Sequence, residues 1–272
     1  MRIGTLSFEL QNDKMALSGH ERRKIIKTVV HQYCPNFILC AGYSLENNTD
    51  LVLLKEELDA IETKTTLVVE VKNDEQILNN GHPLNEEIPG YVGHNHKMFV
   101  IEPNKNIVAL GAQFFATSGE LDESPWGKIK LEAFENQFSN RIFLIGKYKA
   151  VALCCGELNV LKKHDDDISW RSKLVKNAIF DADIVVNPTH DGMANYGTLN
   201  AKRRYLSKKV NERNRCYISS SNWNTLKKRK KDVICQSPSS DSLHSVYLNG
   251  EKQTTKRYPN PSYELRIAEI SI

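Results

Sequence analysis

The chain has 272 residues, 40% hydrophobic and 26% charged, enough for a full core and too apolar for a disordered chain. Net charge is +4 but uneven: residues 1–140 carry −7 and residues 141–272 carry +11. The six cysteines include no C-x-x-C pair, which argues against a zinc ribbon or a disulfide framework and for a reducing compartment. No apolar run reaches the roughly 18 residues of a membrane span, and "MRIGTLSFEL" lacks the long apolar stretch of a signal peptide. A soluble, cytoplasmic protein without membrane contact is expected.

Residues 2–10 alternate like a strand, and 18–33 carry apolar residues at helical spacing behind a capping serine, Ser18. "NFILCAGY" (36–43) reads as a buried strand and 49–63 as an amphipathic helix. Strands follow at 65–71, 97–103 and 106–115, then a polar loop at 116–128. "RIFLIGKYKAVALCC" (141–155) reads as two strands turning near Gly146. A helix over 168–180, a strand at 182–190, a basic helix over 198–214 and a strand at 215–223 come next. Asn249-Gly250 marks a hairpin turn at 244–254, and a last strand closes the chain. Helices and apolar strands interleave without repeats or a flexible linker, so the pattern predicts one layered α/β domain over 1–272.

"KAVALCCGELN" places two thiols where a strand ends, with a glycine and a glutamate directly after. Buried core cysteines fit this pattern. So does a nucleophile at a sharp strand–turn step, where a glycine relieves crowding and freed N–H groups can bind an oxyanion.

The order of motifs resembles the nitrilase superfamily of carbon–nitrogen hydrolases along nearly the whole chain. "MRIGTLSF" matches the opening strand. "ALCCGEL" matches the nucleophile segment V-x-I-C-x-D/E, with Cys155 at the nucleophile and Glu157 at the acid two residues later. "ADIVVNPTH" (182–190) matches A-D-I-V-x-x-P, "RCYISSSN" (215–222) matches C-Y-V-x-x-x-N, and "VYLNGE" matches a hairpin with a turn glycine. The resemblance implies a four-layer αββα sandwich, self-association as a homodimer or higher oligomer, and hydrolysis of small amide-like compounds with neither metal nor other cofactor.

The family mechanism uses Glu as base, Lys against the oxyanion and Cys as nucleophile. At the Glu position this chain has Ala41 or Gly42, with Glu46 a few residues beyond. Gln113 falls at or near the Lys position, with Lys128 and Lys130 downstream. Glu120, Asp122 and Glu123 are available as a second acid. Of the histidines, His94, His96, His164 and His190 could assist the thiol, His190 being favoured by its loop. Asn187, Thr189 and His190 stand where the family lines its pocket.

The sequence thus supports a divergent hydrolase acting through Cys155, with Glu157, Gln113 and Glu120 in support. It equally accommodates a relative without turnover that binds a small ligand or a partner. A nucleic-acid or acidic-partner surface over the basic segment 201–231, including "LKKRKK" at 226–231, is a third reading. The acidic run "HDDD" (164–167) reads as a solvated loop and not as a metal site.

Overall fold

The computed structural model describes residues 1–12, 14–88, 91, 93–165, 167–191, 196–225, 227–229, 232–234, 237 and 240–272. The first half runs β1 (Arg2–Gln11), α1 (Gly19–Tyr33), β2 (Phe37–Cys40), α2 (Asn48–Asp59), β3 (Thr66–Asn73), β4 (Lys97–Ile101) and β5 (Val108–Ala112). The second runs α3 (Gly127–Asn136), β6 (Ile142–Ile145), β7 (Tyr148–Ala152), α4 (Lys173–Phe180), β8 (Ile184–Thr189), α5 (Tyr196–Leu206), β9 (Cys216–Ser221) and β10 (His244–Leu248). The chain then returns to the first half with β11 (Lys256–Pro259) and β12 (Tyr263–Glu269).

Two sheets result. The first has the order β11-β12-β1-β2-β3-β4-β5 and the second β10-β9-β8-β7-β6, extended at one edge by Glu251–Lys252. In each, a parallel centre (β1-β2-β3 and β7-β8-β9) is flanked by antiparallel strands. The parallel strands are apolar on both faces because both faces are covered. Ile3, Phe37, Leu39 and Val68 of the first sheet meet Ala150, Ala152, Ile184 and Ile218 of the second. Outside the first sheet lie α1 and α2, through Ile26, Val30, Leu51 and Leu54. Outside the second lie α3, α4 and α5, through Phe134, Val175, Ile179 and Leu206. This is the four-layer αββα sandwich. Among the described residues, no helix is long and apolar enough to cross a membrane.

Local signals act where the sequence places them. Ser18 accepts from Glu21 N and the Glu21 carboxylate reaches back, closing a capping box on α1. Asn249 and Gly250 turn with φ of 54° and 87°, the left-handed pair a two-residue hairpin requires. The helix expected over 168–180 starts later: residues 167–170 pair with Leu161–His164 as a hairpin, and Ser172 caps α4. The two ends of the acidic run, His164 and Asp167, face each other across that hairpin. The polar stretch read as a loop gives way to α3, and the basic helix ends at Leu206. Of the basic segment 226–231, residues 226, 230 and 231 lie outside the described residues, and no side chain of 227–229 is described.

Ile218 is fully buried in the layer between the sheets. Ile218→Ala is expected to lower stability by about 2–5 kcal/mol in urea melts. A loss well under about 1 kcal/mol would contradict a tightly packed inter-sheet layer.

Candidate functional site

Strand alternation decides which thiol points where. Along β7 and its continuation, Val151 and Leu153 face the helices, whereas Ala150, Ala152 and Cys154 face the opposite sheet. Cys154 is wholly buried; Cys155, at the start of a 3-10 turn over Cys155–Val160, is partly exposed.

Glu157 fastens this turn. Its Oε2 accepts from Cys154 N at 2.7 Å and its Oε1 from Phe114 N at 3.1 Å and Arg141 Nη2 at 2.7 Å. Both partners of the Arg141 ion pair are buried. Burial pushes the Glu157 carboxyl up to about 7, against the pull of Arg141 and the two backbone N–H groups. Gly156 leaves no room for a side chain, since a Cβ there would sit 2.0 Å from the Ala116 carbonyl oxygen. Behind the step, Asn187 Nδ2 donates to the carbonyls of Leu153 (2.7 Å) and Cys155 (3.3 Å), and Tyr217 OH donates to Asn187 Oδ1 at 3.0 Å.

Facing the thiols from the first sheet is Glu70, which sequence reasoning missed. It lies on β3 on the same side as Val68 and is fully buried. Cys154 Sγ donates to its Oε2 at 3.1 Å; His190 Nε2 and Tyr43 N reach its Oε1 at 2.7 and 3.0 Å. Burial alone would raise Glu70, but His190 and then His96 override it and hold the carboxyl down to about 2. Burial likewise opposes charge on His190, and the Glu70 carboxylate followed by Cys155 raises it to about 10. The pair is therefore carboxylate and imidazolium. The Tyr43 ring stacks on His190 at 4.0 Å and 4°. Cys154 is pushed well up by burial and by the Glu70 and Glu157 charges, so it stands as a neutral thiol donor.

The position where the family carries its Glu is filled differently. A Cβ on Gly42 would lie 2.3 Å from His190 Cδ2, so the imidazole occupies that space. Glu46 points elsewhere, bound to Arg22, Lys72 and Asn73.

Gln113 does come to the thiols, but with its oxygen. Oε1 accepts from His96 Nε2 at 2.8 Å and lies 3.6 Å from Cys154 Sγ, while Nε2 donates to the Phe115 carbonyl at 2.9 Å. That carbonyl fixes the amide's orientation: turned over, the amide would set oxygen against oxygen. Gln113 therefore points no N–H at the cysteines, and it cannot stand in for the Lys as an oxyanion donor. His96, 2% exposed, is pushed down to about 3 by burial and is neutral.

The remaining sequence candidates spread out. Glu120 pairs with Lys130 Nζ at 2.8 Å and accepts from Ala116 N and Thr117 N. Lys128 is exposed beside Glu132, Asp122 binds Arg171, and Thr189 Oγ1 donates to the Ser220 carbonyl at 3.2 Å. His94 packs 4.9 Å from His96. One signal could have revealed Glu70: an acid in the middle of "TTLVVEV", a strand apolar on both faces.

No protein-family model matches the chain, and no curated protein matches it in sequence. Solved structures do match. An amidase variant from Nesterenkonia sp. AN1, carrying acrylamide added to its active-site cysteine, aligns over 100% of this chain and 93% of its own, with TM-score 0.56 and 9% identity. A carbon–nitrogen hydrolase from Helicobacter pylori aligns over 98% and 88%, with TM-score 0.54 and 11% identity. The chain carries the nitrilase-superfamily fold. A CN-hydrolase superfamily protein from Xanthomonas campestris, with an arsenic adduct in its active site, matches at TM-score 0.53 and 8% identity over 99% and 90%. Within the nitrilase fold the site described here lies between the two sheets, at the end of β7.

The ion pair sets a pH dependence. His190 is raised, so its share of stability is full below the unfolded value of about 6.5 and is lost as pH climbs through about 10. Glu70 is depressed, so its share is full above an unfolded value of about 4.3 and is lost as pH falls through about 2. The stability lost on His190→Gln should thus be greatest between about pH 4.3 and 6.5 and shrink on both sides. Urea melts of both proteins across that range check it; a difference indifferent to pH would speak against the pair.

Proposed function

We propose that the protein hydrolyses a carbon–nitrogen bond of a small amide-like compound through Cys155, with His190 as proton carrier and Glu70 orienting it. The observation that carries this reading is His190 itself, 2.7 Å from the Glu70 carboxylate and raised by Cys155 as well as by Glu70. A charged imidazole against a thiol is the arrangement that supplies an attacking thiolate.

In this reading the Cys155 thiolate attacks the substrate carbon. The developing oxyanion meets the N–H groups that open the 3-10 turn, which lack intrahelical acceptors. His190 gives its proton to the departing nitrogen, and the C–N bond breaks to leave an acyl-enzyme. Neutral His190 then takes a proton from water, whose oxygen attacks the acyl carbon and releases the acid and the thiolate. Glu157 positions the turn, and Asn187 braces it from behind; neither touches substrate. The site differs from the expected pattern in placing the His190 imidazole in the space beside Gly42, where a Glu was expected.

Cys155→Ala should abolish turnover across a panel of small amides and nitriles, whereas Cys154→Ala should keep most of it. Loss confined to the Cys154 variant would overturn the assignment. The alternative is binding without turnover, favoured by Gln113, whose amide nitrogen is spent on the Phe115 carbonyl. Alkylation of Cys155 together with silence across the panel would decide for it.

Gly42→Ala offers an independent check on His190. The added methyl must push the ring aside, and a shift of about 1 Å in such a group reduces kcat/KM by about 10²-fold. An unchanged rate would mean that His190 does not act from this position.

A further inference from the structure

We propose that Glu70, His96, Cys154 and His190 also form a binding site for one zinc-like divalent cation, and that filling it silences the hydrolytic unit by taking His190 and Glu70. The silencing rests on the function proposed above; the binding does not.

The four residues come from four separate places: β3, the residue before β4, the end of β7 and the loop after β8. Each offers one ligand atom, and all four atoms lie within 4.8 Å of one another. Zinc bonds of about 2.0 Å to nitrogen or oxygen and 2.3 Å to sulfur place tetrahedral ligands roughly 3.3–3.8 Å apart. Cys154 Sγ and Glu70 Oε2 are already 3.1 Å apart, so side-chain adjustments suffice. One sulfur, two imidazoles and one carboxylate suit zinc; magnesium and calcium require oxygen throughout.

Supporting contacts hold the ligands. Gln113 Oε1 bonds the His96 ring, Tyr43 stacks on His190, and Tyr43 N anchors Glu70. Such partners orient ligands in metal sites. Charge balances as well. With the cation bound, a charge of two plus meets a carboxylate and a thiolate, for a total of zero. The Cys154 thiol proton and the proton of the Glu70–His190 pair leave to solvent, and no electron moves. Low-dielectric surroundings penalise net charge, so this exchange removes the main obstacle to burying a dication.

The test uses the full chain, stripped with a chelator. Zinc titrated by calorimetry should bind one to one, and cobalt should give a thiolate-to-metal absorption band in the near ultraviolet. Cys155→Ala should bind equally well, because Cys155 is not a ligand. His96→Ala and Cys154→Ala should each weaken zinc by more than the roughly 10–100-fold that a supporting residue costs. No cobalt band in the unaltered chain, or zinc binding indifferent to both changes, would overturn the site, even where a variant fails to fold. Zinc should stop hydrolysis in the unaltered chain, and chelation should restore it. Zinc bound at this site with hydrolysis undiminished would overturn the silencing alone. Binding without any hydrolysis in the metal-free chain would count against the proposed function while sustaining the site.

Discussion

Everything at the cysteine step depends on one buried carboxylate. Glu157 ties together three segments that are distant in the chain: the end of β7 through Cys154 N, the segment after β5 through Phe114 N, and Arg141 just before β6. Burial disfavours its charge, and the donors on each oxygen together with Arg141 offset part of that cost. Without that anchor the thiols would have no fixed direction. With it, strand alternation sends Cys154 inward and leaves Cys155 at the opening of the turn.

The second constraint is the placement of charge between the sheets. The fold brings strand ends of both sheets to one place, and this chain fills that place with Glu70, His96, Cys154 and His190. The acid comes from β3 instead of the end of β2, and the imidazole of His190 lies over Gly42, where a side chain would otherwise stand. Glu70 and His190 stabilise each other's charge, and neutral His96 packs 4.5 Å from His190. One cluster therefore underlies both proposals, a proton relay and a set of metal donors. Both uses need a carboxylate, a thiol and imidazoles held close together away from water.

Several groups legible in the sequence keep their place but change their role. Gln113 does reach the thiols, yet its amide nitrogen is taken by the Phe115 carbonyl. Asn187 is at the step, though behind it, supporting two carbonyls. Glu120 forms a local pair with Lys130. In each case the residue type was informative about hydrogen-bonding capacity. The direction of the side chain depended on neighbours remote in the chain.

The sequence by itself determined a layered α/β domain, because interleaved helical and strand periodicities with apolar runs need both faces of the strands covered; the four-layer αββα form came from its resemblance to the nitrilase superfamily. It also determined the capped start of α1, the hairpin at Asn249-Gly250 and the thiols at a strand–turn step, all of which rest on contacts between near neighbours. It offered His190, favoured by its loop, among four histidines that could assist the thiol. Only the tertiary structure decided that Glu70 faces the thiols, that Cys154 and Cys155 are divided between interior and opening, and that His96 joins them. The physical reason is distance along the chain. Glu70 and Cys154 are 84 residues apart and Glu70 and His190 are 120 apart, and no local pattern records which strands become neighbours across two packed sheets.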